Sequence, residues 1–184
     1  MVERVSISID DEGRRKIEFL RRKMRVGTSE LIRELINLGY LLIKESEVDS
    51  ETISIWIDYL SKKQHMILDI EHWRVIFSEI EKISSNEGFW EKMKEIGFSH
   101  AIQYKIKGLD TIEKVINYVE KANWYDVKKE NEGVYTLILN DLAIKKFVKI
   151  FLEEVFKGQK LPARIEEGFG KLIVIDTIAQ QKQH

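Results

Sequence analysis

One short stretch of alternating residues near the start of the chain sets the strongest constraint on its fold. In the sequence RVSISI (residues 4–9), apolar and polar side chains alternate, and the apolar ones are Val5, Ile7 and Ile9. This period of two predicts a strand. A strand needs a partner, because its backbone N–H and C=O groups must be hydrogen-bonded. The segment therefore either joins a sheet that forms much later in the chain or pairs with the same segment of a second copy.

Two helices are predicted directly after this strand. Asp10 or Asp11 can cap a first helix over about 11–24, in which apolar residues recur at helical spacing. The sequence VGTS (26–29) interrupts the pattern. A second helix with a broad apolar face then runs to the polar sequence KESEVDSET, which we interpret as a domain boundary.

The rest of the chain predicts an α+β domain that is mostly helical and contains a small antiparallel sheet. Helical spacing is followed by two hairpin patterns, with a helix capped by Asp141 between them. The helical regions are 53–83, 89–107, 109–122 and 142–157, with the loop SSNEG at 84–88. The first hairpin turns at Asn131–Gly133 and the second at Gly168, where Phe169 is expected to anchor the turn. We divide the chain into residues 1–46, residues 47–178 and a frayed tail, 179–184.

Arginine is concentrated near the start of the chain. Seven of the nine arginines lie in the first 33 residues, and the segment 14–25 holds seven basic residues beside the acidic Glu18. The guanidinium group donates paired hydrogen bonds to phosphates and to base edges. A ribbon made of two copies of the first strand would fit the major groove of DNA, whereas a basic helix face is equally typical of a plain solvent-exposed surface.

The segments RVSISID, DEGRRKIEFLRRKM, RVGTS and SELIRELINLGYLL together resemble the ribbon-helix-helix DNA-binding family of the CopG, Arc and MetJ type. The resemblance covers about the first 45 residues. It implies an obligate homodimer whose two-stranded ribbon enters the major groove of double-stranded DNA. The implied base contacts come from Arg4, Ser6 and Ser8. The implied phosphate contacts come from Gly27, Thr28 and Ser29.

The sequence from FWEKMKEIGF to KLIVID is similar in layout to 4-vinyl-reductase-like domains related to TRAPP Bet-type subunits. That resemblance implies a site for a small hydrophobic molecule. The four tryptophans either line such an apolar pocket or belong to the core and the dimer interface. They are Trp56, Trp73, Trp90 and Trp124.

Several other classes of protein are not indicated. The chain has no apolar run long enough to span a membrane, and the absence of cysteine excludes disulfides and favours a cytoplasmic location. His65, Asp69 and His72 have a helical spacing, but the two histidines would lie about 10.5 Å apart along the axis, too far to share one ion. We predict no metal, no cofactor and no enzymatic activity, because no catalytic constellation of residues can be assembled.

We therefore expect a sequence-specific transcriptional regulator that dimerises through its ribbon. Further assembly of dimers on DNA is implied by the family resemblance alone. The regulator's C-terminal domain would serve oligomerisation or sense a small-molecule effector. The alternative is a DNA-binding interaction protein, such as an antitoxin or a partition adaptor, whose C-terminal domain binds a protein partner. Antitoxin tails are usually short and disordered, whereas this part has the apolar periodicity of a folded domain, and that favours the regulator.

Overall fold

The computed structural model describes residues 5–45, 48–62, 65, 67–82 and 87–181. They contain eight α-helices, a short 3-10 turn and a four-stranded antiparallel sheet, which confirms the α+β class. The chain forms two compact units, Met1–Ile53 and Ser54–His184. The division predicted from the polar sequence, between residues 46 and 47, falls outside the described residues and stays a prediction.

The N-terminal unit contains the two predicted helices, α1 (Asp11–Met24) and α2 (Thr28–Glu45). Asp10 caps α1, because its carboxylate accepts the N–H of Gly13 at 2.7 Å. At the other end, Arg25 adopts the left-handed conformation with φ 57° and donates its backbone N–H to the carbonyl of Arg21. This closes α1 and turns the chain towards α2.

Four helices precede the sheet: α3 (Ser50–Ser61), α4 (Ile70–Lys82), α5 (Glu87–Ile106) and α6 (Ile112–Glu120). The helical pattern predicted over 53–83 is thus divided between α3 and α4. The reason is Asp69, whose carboxylate accepts the N–H of Glu71 at 2.9 Å and starts a new helix. The predicted loop at 84–88 is wrong for residues 87 and 88, which belong to α5, and residues 84–86 lie outside the described part.

Both predicted hairpins are confirmed. The first consists of β1 (Tyr125–Asn131) and β2 (Val134–Leu139), and the second of β3 (Ala163–Gly168) and β4 (Lys171–Asp176). The strand order is β1-β2-β4-β3, with every neighbouring pair antiparallel. Residues 5–10 belong to no strand of this sheet, so the described structure does not support the interpretation that the first segment joins it.

Between the hairpins lie a 3-10 turn (Leu142–Ile144) and α7 (Lys145–Gln159). Asp141 caps the 3-10 turn, since its carboxylate accepts the N–H of Ala143 at 2.8 Å. The prediction that it caps the helix itself is wrong, because α7 begins at Lys145 without a side-chain cap. After β4, the short helix α8 (Thr177–Gln181) stands where a frayed tail was expected. Its start is stabilised by Asp176, which accepts the N–H groups of Ile178 and Ala179. Residues 182–184 lie outside the described residues.

The core of the C-terminal unit lies between one face of the sheet and helices α6 and α7. The side chains that are almost fully buried come from all three, and α5 packs along α7. They include Tyr125, Leu137, Leu172, Val174, Val115, Ile116, Leu152 and Val155. Burial of this apolar set is the main source of stability for the unit.

The tryptophans have separate environments. Trp73 and Trp124 join Phe77 and Phe147 in a cluster of direct ring contacts, with Trp124 stacked on Phe147 at 4.9 Å between centroids. Trp56 donates its indole N–H to the carbonyl of Lys121 at 2.8 Å. Trp90 has a cationic neighbour, since Lys146 Nζ lies 4.1 Å from the centroid of its ring. Trp73 and Trp124 are partly buried and pack against the core of the unit.

The second half of α3 is tied to α5 and α6 by a small polar network. The carboxylate of Asp58 accepts hydrogen bonds from Lys107 and from the hydroxyl of Tyr118, and it pairs with Lys62 at 2.6 Å. The two lysine ammonium groups hold the pKa of Asp58 well below its usual range. The buried Tyr59 hydroxyl donates to the carbonyl of Tyr118 at 2.7 Å.

Helices α5 and α7 approach each other closely at Gly97. A Cβ atom on Gly97 would lie 2.9 Å from the backbone oxygen of Phe151. We predict that Gly97→Ala lowers the free energy of unfolding of the C-terminal unit by about 1–3 kcal/mol, because the backbone of α7 must move. All four tryptophans lie in this unit, so their fluorescence during urea unfolding measures the change.

The matched control is Ser99→Ala, on the exposed side of the same helix. It should change the free energy of unfolding by less than about 0.5 kcal/mol. Equal effects of the two substitutions would contradict the close contact between α5 and α7.

Candidate nucleic-acid interface

The segment before α1 is exposed on both of its sides. Val5, Ile7 and Ile9 have 75%, 65% and 48% of their surface accessible. Ser6 and Ser8, which alternate with them, are also exposed, and residues 5–10 form no strand within the chain. Arg4, the third predicted base-contacting residue, lies outside the described residues. The structure thus leaves the backbone and both faces of 5–9 accessible to a partner.

The start of α2 has backbone N–H groups that find no acceptor among the described residues. The carbonyl of Gly27 accepts the N–H of Leu31 at 2.9 Å, which makes Gly27 the residue that caps the helix. The N–H groups of Thr28, Ser29 and Glu30 therefore precede the first hydrogen bond within the helix. All three residues are exposed. Helix geometry points such donors outward along the axis, where they can bind an anion.

Gly27 leaves this end of the helix open. A Cβ atom placed on it would meet no atom within 4 Å. The described chain therefore has room at the cap for an approaching phosphate oxygen. The helix dipole adds a favourable field for an anion, worth about 0.3–1 kcal/mol near a surface. The exposed carboxylate of Glu30, in the first turn, acts in the opposite direction on a bound phosphate.

The structure brings the predicted phosphate-contacting residues Gly27, Thr28 and Ser29 together at one helix end. It places the predicted base-contacting residues Ser6 and Ser8 in a different segment, which precedes α1. Contacts with DNA are not part of the structure of one chain, so both assignments stay predictions.

Helix α1 carries a basic surface, which the sequence indicates by its run of basic residues over 14–25. Its side chains line a shallow depression: Arg14, Arg15, Glu18, Phe19, Arg22 and Lys23. Phe19 has 65% of its surface accessible although cationic side chains surround it. Arg22 pairs with Glu18 at 3.4 Å across one helical turn, which is a weak exposed contact. The signal in the sequence was the density of arginine over 14–25.

The histidines have local roles. His65 Nδ1 lies 3.1 Å from the backbone oxygen of Tyr59, and His100 Nδ1 lies 2.9 Å from that of Ile96. Across the described residues, no group of three or more potential ligands is placed to hold a metal ion. His184 lies beyond the described part. Among the described helices, none combines the length and the apolar character needed to cross a bilayer.

Comparison with known proteins gives two matches. Translation initiation factor IF-2 of Borreliella burgdorferi is 30% identical to the chain over 139 residues. This match covers 74% of the chain, but the chain spans 15% of the length of that protein. No solved structure is significantly similar to the chain.

The second match concerns the N-terminal segment. Residues 3–42 match the family described as ribbon-helix-helix protein, copG family, whose members are typically DNA-binding regulators. The matched range contains the exposed alternating segment, all of α1 and the exposed start of α2. The match thus confirms the resemblance of residues 3–42 to ribbon-helix-helix proteins of the copG family.

Proposed function

We propose that the protein is a sequence-specific DNA-binding transcriptional regulator that acts as a homodimer. The observation that carries this proposal is the incomplete state of residues 5–9 in one chain. They match the part of a ribbon-helix-helix family that forms the ribbon, yet they have no strand partner among the described residues, and their apolar side chains are exposed. A second copy supplies the missing ladder as an antiparallel two-stranded ribbon.

The second helix supports the same dimer. Ile32, Ile36, Gly39 and Ile43 follow one another at helical spacing and form one stripe along α2. Ile36 and Ile43 have 62% and 79% of their surface accessible, and a Cβ on Gly39 would meet no atom within 4 Å. Full burial of an exposed isoleucine stabilises by about 1.5–3 kcal/mol. The stripe therefore provides an apolar surface for α2 of a second copy.

In this dimer the apolar face of the ribbon covers the helices. The opposite face then presents Arg4, Ser6 and Ser8 of both copies to the major groove, where arginine and serine can hydrogen-bond base edges. Gly27, Thr28 and Ser29 bind a backbone phosphate at the start of α2 through exposed N–H groups. The phosphate contacts supply affinity that falls with salt, and the ribbon supplies sequence discrimination.

We assign oligomerisation to the C-terminal unit in preference to sensing an effector. The aromatic rings of Trp73, Phe77, Trp124 and Phe147 contact one another directly, which supports a packing role of these side chains over a role in binding a small molecule. The unit also has a core of its own, which favours the regulator over an antitoxin with a disordered tail.

Selection of bound duplexes from a random pool tests the proposed function. We expect the full chain to enrich one motif with two-fold symmetry, since the reading unit is a homodimer. Arg4→Ala, Ser6→Ala and Ser8→Ala should each lower the preference for this motif over unrelated DNA by about 1–3 kcal/mol per lost base contact. The control is Ile7→Val, on the other face of the strand, which should keep the motif. The proposal would be contradicted if no motif were enriched. It would also be contradicted if Ile7→Val lost the preference for the motif while Ser6→Ala and Ser8→Ala kept it.

The role of the backbone at the start of α2 is tested by two substitutions at one residue. Thr28→Ala removes the hydroxyl and keeps the N–H, whereas Thr28→Pro also removes the N–H, at a position where proline suits a helix. Because a hydrogen bond to a charged group contributes about 1.5–3 kcal/mol, we expect Thr28→Pro to bind the selected duplex at least tenfold more weakly than Thr28→Ala.

Fluorescence anisotropy with a labelled duplex measures both affinities, and circular dichroism checks that the helix content is unchanged. Equal affinities of the two variants would refute an anchor made of backbone N–H groups.

A further inference from the structure

The sheet of the C-terminal unit has one face outside its core. Side chains alternate between the two faces of a strand, and the set on the core face is buried against α6 and α7. On the other face, the two central strands β2 and β4 carry an apolar group made of Val134, Ile138, Ile173 and Ile175. Ile138 has 47% of its surface accessible, and the other three are half-buried. We call this surface the open face.

The edges of the open face carry charges of alternating sign. Along β1 they are Asp126, Lys128 and Glu130. Along β3 they are Arg164 and Glu166, and Lys171 lies on β4 beside them. All six residues are exposed. Their contacts within the chain include the exposed pairs Lys128–Glu130 at 3.1 Å and Arg164–Glu166 at 2.9 Å, which contribute little to stability.

The register of the sheet orders these charges in rows. Lys128 pairs with Thr136, Thr136 with Ile173, and Ile173 with Glu166, so Lys128 and Glu166 are the opposite ends of one row. Arg164 lies at one end of the neighbouring row, in which it pairs with Ile175, and Ile175 pairs with Val134. The other end of this row is the irregular end of β1, where Glu130 lies. On the other side, Asp126 pairs with Ile138, and Ile138 with Lys171.

We propose that a second copy of the chain docks on the open face, related by a two-fold axis parallel to the strands. Such an axis lays β1 of one copy over β3 of the other and keeps each row opposite itself. Glu130 then faces Arg164, Lys128 faces Glu166, and Asp126 falls beside Lys171, each contact occurring twice. In the centre, β2 of one copy lies over β4 of the other, so Ile175 faces Val134 and Ile173 faces Thr136, as in a pair of aligned sheets.

The charge pattern distinguishes this arrangement from the other two-fold packing of the same face. An axis across the strands would lay β1 over β1 in the reverse direction and would place Glu130 opposite Asp126. Like charges would then meet at both ends of the edge strand. Electrostatic complementarity of this kind sets the orientation of an interface more than its affinity.

The open face is too small to hold a tight dimer without help. Four strands about 4.8 Å apart and three rows of side chains give a footprint of roughly 20 Å by 20 Å, or about 400 Å². A stable interface usually buries about 800 Å² on each partner. The docking therefore rests on the proposed function, because copies already joined by the ribbon have a high effective concentration for a second contact.

Cross-linking of the full chain tests the docking, because the natural sequence has no cysteine and supplies a clean background. Lys128→Cys and Glu166→Cys are prepared as single variants, mixed, allowed to exchange chains and treated with a short bismaleimide. We expect a covalent dimer in the mixture, at least tenfold more abundant than in either variant by itself. The reason is that Lys128 of one copy faces Glu166 of the other, while like positions lie three strand spacings apart, about 14 Å sideways.

A charge exchange provides the second readout. Adding Arg164→Glu to the Glu166→Cys chain places two acids opposite each other and should lower the yield several-fold. Adding Glu130→Arg to the Lys128→Cys chain should restore it, since the exchanged pair is again opposite in sign. Rescue of this kind would not follow from a purely local effect on folding.

Sedimentation of the same samples separates the two proposals. A dimer without the mixed cross-link, or equal cross-linking of the single variants, would overturn the docking and leave the ribbon dimer standing. A monomer at all concentrations would overturn both. Binding of the selected duplex by the cysteine variants should equal that of the unchanged chain, because neither residue belongs to the DNA interface.

Discussion

The interaction on which the account depends is the hydrogen bonding of the backbone over residues 5–9. The backbone N–H and C=O groups of a strand need hydrogen-bond partners when its apolar face is buried. The chain supplies no partner for these groups among its described strands. We propose that the pairing comes from a second copy of the chain, which has the same alternation. Dimerisation and the presentation of a reading surface then follow from one event.

The two units of the chain differ in how complete they are by themselves. The C-terminal unit has a four-stranded sheet with helices packed on it, and its core side chains are almost fully buried. The N-terminal unit leaves much of its apolar surface accessible along the strand segment and α2. An apolar surface of this extent is typical of a protein that assembles with a partner. The contrast supports the proposal that association belongs first to the N-terminal unit, to which the proposed docking of the open face would add a second, weaker contact.

Sequence reasoning located the elements well where a period or a capping residue was strong. Helices α1 and α2 and both hairpins were predicted, since Asp10, Gly27 and the glycine turns mark their limits. It missed the break between α3 and α4, because apolar residues continue at helical spacing on both sides of Asp69. It missed α8, because the polar sequence after Asp176 resembles a tail and the capping carboxylate was not considered.

The candidate sites show the same limits. The exposed helix start at Thr28 was predictable, since capping follows from local geometry. The anchoring role expected of Phe169 was wrong: 94% of its surface is accessible, and the turn depends on Gly170 with φ 69°. The charged rows of the open face were not predictable, because they arise from the register between strands that lie far apart in the sequence.

An isotope-filtered NMR experiment on a mixture of labelled and unlabelled full chains tests the central claim most directly. It detects only contacts between protons of different molecules. The account predicts cross-strand contacts between α-protons of residues 5–9 in the two copies, in the pattern of an antiparallel pair. Contacts of these residues restricted to their own chain, at concentrations where the protein is dimeric, would contradict it.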